Sequence, residues 1–250
     1  MMGYQEVLDL VSKEYQNILG DNLVGIYVHG SIAFGCYNPN KSDIDFIVVV
    51  KENLSLNQKV DLIEVLLSHD KEVPVRGFEI SVILLEDTLD IKYPTHFTLH
   101  YSNLHRANTL KNIVNYINDM HGDDPDLVAH FMIIKYKGIV LYGLPICEVF
   151  GSIDKRDYID SITADVRFAE EDIINHPLYT ILNLCRVLGY IKDELILSKK
   201  QGGEWGIKNL DTKYTQLIYT ALSSYTTDSV LTYDNDMLVS FAKYCTSFLI

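Results

Sequence analysis

The chain has 250 residues, enough for one large domain or two modest ones, and its 48% hydrophobic residues support a substantial core. The formal net charge of −13 argues against a protein that binds nucleic acid through phosphate contacts, because such binding needs a basic face. An acidic surface attracts cationic ligands, although the same charge also serves solubility.

The first predicted element is an amphipathic helix over 5–19 that ends near Gly20, and its acidic residues do not fit a secretory leader. No apolar run reaches the length of a membrane span. The four cysteines are scattered without a CxxC pair, which favours reduced thiols and argues against a structural zinc site. We therefore expect a cytoplasmic monomer without a nucleic-acid or membrane partner.

The most informative stretch follows a short apolar strand over 23–28. Residues 29–50 read HGSIAFGCYNPNKSDIDFIVVV, in which a glycine-serine turn leads to a second apolar strand over 46–50. Gly30 and Ser31 open a short helix whose first backbone N–H groups are free to hold phosphate oxygens. A glycine-serine pair alone is more often an ordinary turn, so the interpretation depends on what comes next in the chain.

Two aspartates stand where the second strand begins. Asp43 and Asp45 are two residues apart, and residues at that spacing in a strand point to the same face. Two carboxylates held side by side repel each other unless a cation lies between them. Oxygen ligands of this kind suit Mg²⁺, which proteins bind through one or two carboxylates together with substrate phosphates. The segment therefore predicts a phosphate-binding turn beside a magnesium site.

A third carboxylate follows on the next predicted strand. A helix over 56–68 separates the second strand from a third over 78–85, which is rich in β-branched residues. Glu79 lies near its start between apolar residues, where a charge is costly to bury without a partner. A glutamate that simply faces water is the alternative. With Asp43 and Asp45 nearby, we expect Glu79 to complete the metal site.

The rest of the chain divides by its secondary structure. Asp124 and Pro125 predict the start of a helix that runs to 137, and a brief strand over 139–142 follows. From there to the C-terminus the pattern is helical, so we place the domain boundary between 1–151 and 152–250. The predicted fold is an α/β N-terminal domain with a mixed sheet and an all-α C-terminal domain.

The helical half contains five predicted helices. Ser198 begins a capping-box pattern that fixes the start of the third of them. The predicted ranges are 155–174, 177–193, 199–209, 212–224 and 235–249.

The order of a strand, a glycine-serine turn, and an aspartate pair opening a strand resembles the DNA polymerase beta-like nucleotidyltransferase superfamily. Over the whole chain the motifs HGSIAFG, KSDIDFIVVV, FEISVI, DPDLVAHF, VLYGLPI, LNLCRVL and SKKQGGEWGI resemble the aminoglycoside nucleotidyltransferases that modify streptomycin and spectinomycin. The resemblance implies a nucleotidyltransferase domain joined to a helical domain, and transfer of AMP from ATP to a drug hydroxyl with release of pyrophosphate.

The resemblance also assigns roles to residues. Gly30 and Ser31 would contact the terminal phosphates, and the two aspartates would hold Mg²⁺. Glu79 would be the third acid and the general base. Arg186 and Lys199, both in the helical half, would contact the triphosphate. Lys199 stands in the first turn of a predicted helix, where the helix dipole disfavours a cation, so an anionic partner would explain its position.

The substrate is less well defined than the chemistry. Family members carry an acidic residue just before the LNLCRVL-type helix, where it contacts the drug, and here residues 175–177 are Asn-His-Pro. A small cationic aminocyclitol is the expected acceptor. Two alternatives stay open, namely a nucleotidyltransferase that modifies a protein or RNA, as some toxin–antitoxin partners do, and a nucleotide-binding module without turnover.

Overall fold

The computed structural model describes residues 3–73, 76–227 and 232–249. Contacts between residues divide the chain into two compact units, Met1–Tyr158 and Ile159–Ile250. Gly151 packs within the first unit, since its N–H donates to the carbonyl of Thr88 at 2.8 Å. The division therefore falls somewhat beyond the boundary placed at residue 151, which stays a prediction. None of the described helices combines the length and apolarity that a membrane span requires.

The first unit is an α/β structure. Its strands are β1 (Leu23–Val28), β2 (Ile44–Val50), β3 (Phe78–Leu84), β4 (Thr95–Phe97), β5 (Leu99–Ser102), β6 (Gly122–Asp124) and β7 (Ile139–Gly143). Its helices are α1 (Tyr4–Leu19), α2 (Gly30–Ala33), α3 (Leu56–Ser68), α4 (Leu85–Leu89), α5 (Arg106–Lys111), α6 (Ile113–Asp119), α7 (Leu127–Lys137) and α8 (Ile146–Val149).

Five strands form one mixed sheet in the order β5-β3-β2-β1-β7. Strands β2 and β3 are parallel, and the other neighbours are antiparallel. All of β2 is buried because its alternate side chains enter two separate cores, with Phe46 and Val48 on one face and Ile47 and Val49 on the other. Helices α1 and α3 contribute to the first core and α7 contributes to the second. The prediction that this strand is covered on both faces is confirmed.

The second unit is helical. It contains α10 (Ala169–Asp172), α11 (Pro177–Asp193), α12 (Lys199–Asn209), α13 (Thr215–Thr226) and α14 (Asn235–Thr246), and it takes the end of α9 (Lys155–Ala164), which crosses the division. Trp205 belongs to its apolar core, and the indole N–H donates to Asp193 Oδ2 at 2.7 Å. The predicted fold class, an α/β domain followed by a helical one, is confirmed.

Four predicted helix boundaries are wrong. The helix predicted over 212–224 begins later, because Thr212–Tyr214 form a 3-10 helix and α13 runs over Thr215–Thr226. Asp124 is not a helix cap, because it belongs to strand β6 and its carboxylate accepts the N–H of Asp126, after which α7 begins. The predicted helix over 155–174 is broken between Ala164 and Ala169 by a turn that contains Asp165. The last helix ends at Thr246 rather than at 249.

Candidate active site

Two adjacent parallel strands bring the three predicted acids together. Asp43 immediately precedes β2, and Asp45 of β2 lies opposite Glu79 of β3 in the register of the sheet. One ligand oxygen from each of the three carboxylates lies within 4.8 Å of the other two. Asp45 is only 8% exposed, and its two neighbours are half-buried. The prediction that these three residues share a site is therefore supported by their geometry.

The acid triad, which is Asp43, Asp45 and Glu79, fits a divalent metal ion. Within the residues that the structure describes, it is the one group of three or more histidine, cysteine or carboxylate side chains close enough to share an ion. Three negative charges at this separation repel one another, and a hard cation with oxygen ligands removes that repulsion. The donor set of the acid triad is suited to such an ion.

The glycine-serine turn is built against the same carboxylates. Gly30 has φ +59°, and a Cβ atom added to it would lie 1.8 Å from Asp45 Oδ2. Only glycine is compatible with both this backbone conformation and this close approach. The N–H of His29 donates to the carbonyl of Asp45 at 3.0 Å, which joins the turn directly to β2. The turn is thus packed directly against Asp45 of the acid triad.

Ser31 carries an unsatisfied polar atom at this turn. Its Oγ is buried and has no hydrogen-bond partner among the described residues. Leaving a buried hydroxyl without a partner costs about 1–3 kcal/mol, so such groups are rare unless a ligand or water completes them. A phosphate oxygen would accept the hydroxyl proton. This observation supports the predicted role of Ser31 in nucleotide binding.

Two histidine rings lie in contact beside the turn, and the sequence prediction missed this pair. His29 is 4% exposed, and its ring lies 4.6 Å from that of His130 on α7. Burial, together with the neighbouring His130, holds the pKa of His29 well below its usual value. The ring is therefore neutral at physiological pH. A histidine between an apolar strand and a glycine-serine turn is the sequence feature from which this position could have been found.

A second histidine, half-buried, lies on β5, the strand that neighbours β3. His100 Nδ1 and Ser81 Oγ are 3.0 Å apart, and Ser81 follows Glu79 by two residues on β3. Burial is the main cause that lowers the pKa of His100 to about 4; the charge of Asp124 opposes this shift, and the nearby His105 and His130 add to it. His100 therefore adds no positive charge beside the acid triad at neutral pH.

The two predicted cations lie in the second unit. Arg186 on α11 donates from Nε to the carbonyl of Leu197 at 3.0 Å and from Nη1 to Asn183 Oδ1 at 3.2 Å. Lys199 is the first residue of α12, and its Nζ lies 4.7 Å from the centre of the Tyr179 ring. Their contact with the triphosphate of ATP stays a prediction.

Two family models together match most of the chain. The model of the nucleotidyltransferase domain matches residues 6–138, and the model of the aminoglycoside adenylyltransferase C-terminal domain matches residues 148–247. The chain belongs to the aminoglycoside nucleotidyltransferase family. It is therefore an enzyme of the nucleotidyltransferase class, as the resemblance implied.

Individual relatives are similar to this chain along most of their length. A spectinomycin 9-adenylyltransferase of Campylobacter jejuni is 24% identical over 217 residues, which cover 84% of this chain and 81% of that one. An aminoglycoside (3'') (9) adenylyltransferase of Escherichia coli is 21% identical over 258 residues, covering 98% and 94%. The crystal structure of the spectinomycin adenyltransferase AAD(9) from Enterococcus faecialis with ATP and spectinomycin matches with a TM-score of 0.84, 22% identity and 98% coverage of both chains. This last likeness confirms the fold.

Proposed function

We propose that the enzyme transfers AMP from ATP to a hydroxyl group of a cationic aminocyclitol antibiotic of the spectinomycin or streptomycin type. The observation that carries the proposal is the acid triad, whose ligand oxygens lie within 4.8 Å of one another beside the buried, unpartnered hydroxyl of Ser31. A metal site and a phosphate site in direct contact are what nucleotidyl transfer needs. The names of the relatives support the choice of acceptor.

In the proposed reaction the substrate hydroxyl attacks the α-phosphorus of ATP. A new P–O bond forms to the substrate, the bond between the α-phosphorus and the bridging oxygen breaks, and pyrophosphate leaves. Glu79 is the proposed acceptor of the proton of the attacking hydroxyl; it lies on β3 opposite Asp45, at the same site as the metal-binding aspartates. General-base assistance of this kind contributes about 10²–10⁴-fold to a rate.

The acid triad is proposed to hold Mg²⁺ through the carboxylates of Asp43, Asp45 and Glu79. A bound divalent ion would neutralise phosphate charge and stabilise negative charge on the transferring group. The glycine-serine turn orients the phosphates, since Gly30 lets the backbone approach Asp45 and Ser31 offers its hydroxyl. Positioning of this kind supplies a large part of the rate in phosphoryl transfer.

The roles of Arg186 and Lys199 follow from the charge of the ligand. ATP is strongly anionic, whereas the site in the first unit gathers three carboxylates, so further positive charge is needed. We propose that Arg186 and Lys199 supply it. The net charge of −13 in turn favours a cationic acceptor by long-range attraction. Because the reaction consumes ATP, we further propose that the enzyme works in the cytoplasm. We also propose that it is a monomer.

The proposal is tested by measuring pyrophosphate release with Mg-ATP and a panel of aminocyclitols that includes spectinomycin and streptomycin. We expect drug-dependent release by the wild type and none by Asp45→Asn. Asp61→Asn is the matched control, because Asp61 is an exposed aspartate on α3, outside the acid triad. Wild-type protein that binds ATP but modifies no drug, or that labels protein or RNA instead, would refute the assigned acceptor.

A further inference from the structure

A hydrogen-bonded network in the second unit centres on a carboxylate that the sequence did not single out. Asp165 lies in the turn between α9 and α10, and both of its oxygens are used. Oδ1 accepts the hydroxyl of Tyr179 at 2.7 Å, and Oδ2 accepts Nδ2 of Asn183 at 2.8 Å. Both donors lie on α11, so the carboxylate holds the broken helix segment against that helix.

The network continues from these donors to the two predicted cations. Asn183 accepts at Oδ1 from Arg186 Nη1 at 3.2 Å, and the ring of Tyr179 lies 4.7 Å from Lys199 Nζ. Asp165 is thus one step removed from both cations. We infer that Asp165 is a positioning residue that orders Arg186 and Lys199 for an anionic ligand, the triphosphate of ATP. This inference rests on the proposed function.

The first branch fixes a buried amide in one orientation. Asn183 is 1% exposed, and an amide can in principle be turned so that its oxygen and nitrogen exchange places. Between a carboxylate on one side and a guanidinium on the other, only one orientation satisfies both partners. Without Asp165 the nitrogen of this amide loses its acceptor, and the oxygen is no longer held toward Arg186.

Arg186 is held in place but its charge is not neutralised. Its hydrogen bonds go to two neutral oxygens, those of Leu197 and Asn183, and it forms no salt bridge within the described part of the chain. Helix α12 packs closely against its stem, since a Cβ atom on Gly202 would lie 2.7 Å from Arg186 Cγ. A half-buried guanidinium in a fixed position without a carboxylate is suited to an anionic ligand.

The second branch acts through an aromatic ring. Tyr179 donates its hydroxyl to the carboxylate of Asp165, which fixes the ring and increases its negative character. Burial, followed by the charge of Asp165, raises the pKa of Tyr179 well above its usual value, so the hydroxyl keeps its proton. A cation is attracted to the face of such a ring, and Lys199 Nζ lies within the distance at which this attraction operates.

Two effects of removing Asp165 oppose each other. Loss of its charge would by itself strengthen the attraction of the second unit for ATP. Loss of the two hydrogen bonds would leave the cations less ordered. Asp165 is exposed, so water and salt screen its long-range charge, whereas a short hydrogen bond to a charged group keeps most of its strength. We therefore expect the loss of order to dominate and ATP binding to weaken.

The test measures binding of Mg-ATP by calorimetry and steady-state kinetics on the full-length protein. Asp165→Ala should raise the Kd for Mg-ATP about tenfold, as loss of a supporting hydrogen bond typically does, with kcat within about twofold of wild type. The Kd of Asp165→Asn should lie between those of wild type and Asp165→Ala, because the amide oxygen can replace one of the two acceptors. Asp160→Ala, at an exposed aspartate in the same region, is the control and should bind like wild type.

A double-mutant cycle separates positioning from a general structural effect. If Asp165 acts through the cations, Asp165→Ala should add little in the background of Arg186→Ala. An undiminished effect in that background, unchanged binding by Asp165→Ala, or tighter binding by Asp165→Asn would each overturn the inference. If the wild type binds and uses ATP and the Asp165 variants do so equally well, only this inference is refuted. Wild-type protein that binds no Mg-ATP would refute the proposed function and the inference together.

Discussion

Replacing Asp43 by asparagine should make the enzyme more stable in the absence of metal and inactive in its presence. Asp43 is the suitable member of the acid triad for this test because it is half-buried and has no hydrogen bond to another described residue that the amide would break. The substitution keeps the shape of the side chain. It removes one of three negative charges whose ligand oxygens lie within 4.8 Å of one another.

The expected gain follows from the charge separation. At 4.8 Å two unit charges repel by about 0.9 kcal/mol in water and by about 3.5 kcal/mol at an effective dielectric constant of 20. Asp43 is partly solvated, so the lower value is the better guide, and it applies to each of two neighbours. Asp43→Asn should therefore raise the free energy of unfolding by about 1–2 kcal/mol when no metal is present.

Divalent metal should largely cancel this difference in the free energy of unfolding. A ligand present at ten times its Kd stabilises the folded state by about 1.4 kcal/mol, and the variant should lose most of this gain. The assay is urea unfolding of both proteins in EDTA and in excess Mg²⁺, with Asp61→Asn as the control for loss of an exposed charge. Lower stability of Asp43→Asn in EDTA, or an equal response of both proteins to Mg²⁺, would refute the view of the acid triad as a strained metal site.

Three further predictions address the turn, the base and the pH dependence. Glu79→Gln should still bind Mg-ATP in calorimetry while pyrophosphate release falls about 10²–10⁴-fold, and normal turnover would contradict its role as base. Gly30→Ala should abolish Mg-ATP binding, because its Cβ would lie 1.8 Å from Asp45 Oδ2; binding like wild type would show that the turn does not need glycine. Burial lowers the pKa of His69, but hydrogen bonds to two glutamates raise it overall, so its stabilising effect is complete below the unfolded value of about 6.5 and is lost as pH rises through the folded pKa. The stability advantage of wild type over His69→Gln in urea unfolding should accordingly shrink between pH 6 and pH 8.5, and a constant difference would exclude the linkage.

Local sequence patterns were sufficient for much of the fold. The ranges predicted for β1, α3, α11 and α12 agree with the structure, because strand and helix periodicity and end caps depend on neighbours a few residues apart. Ser198 illustrates this, since its hydroxyl accepts the N–H of Gln201 at 3.1 Å as the capping pattern predicts. The prediction of one continuous helix over 155–174 was wrong, because side chains of α11 hold the turn at Asp165. That contact joins residues distant in the sequence, so no local pattern indicates it.

The acid triad depends on both local and long-range structure. That Asp43 and Asp45 share a face follows from the two-residue period of a strand, so the sequence by itself determined that pair. The place of Glu79 opposite Asp45 depends on the parallel register of β2 and β3, which the packing of two apolar cores selects and no local pattern encodes. The contact of Gly30 with Asp45 likewise became visible only in the tertiary structure, because it joins chain segments whose approach is set by the sheet.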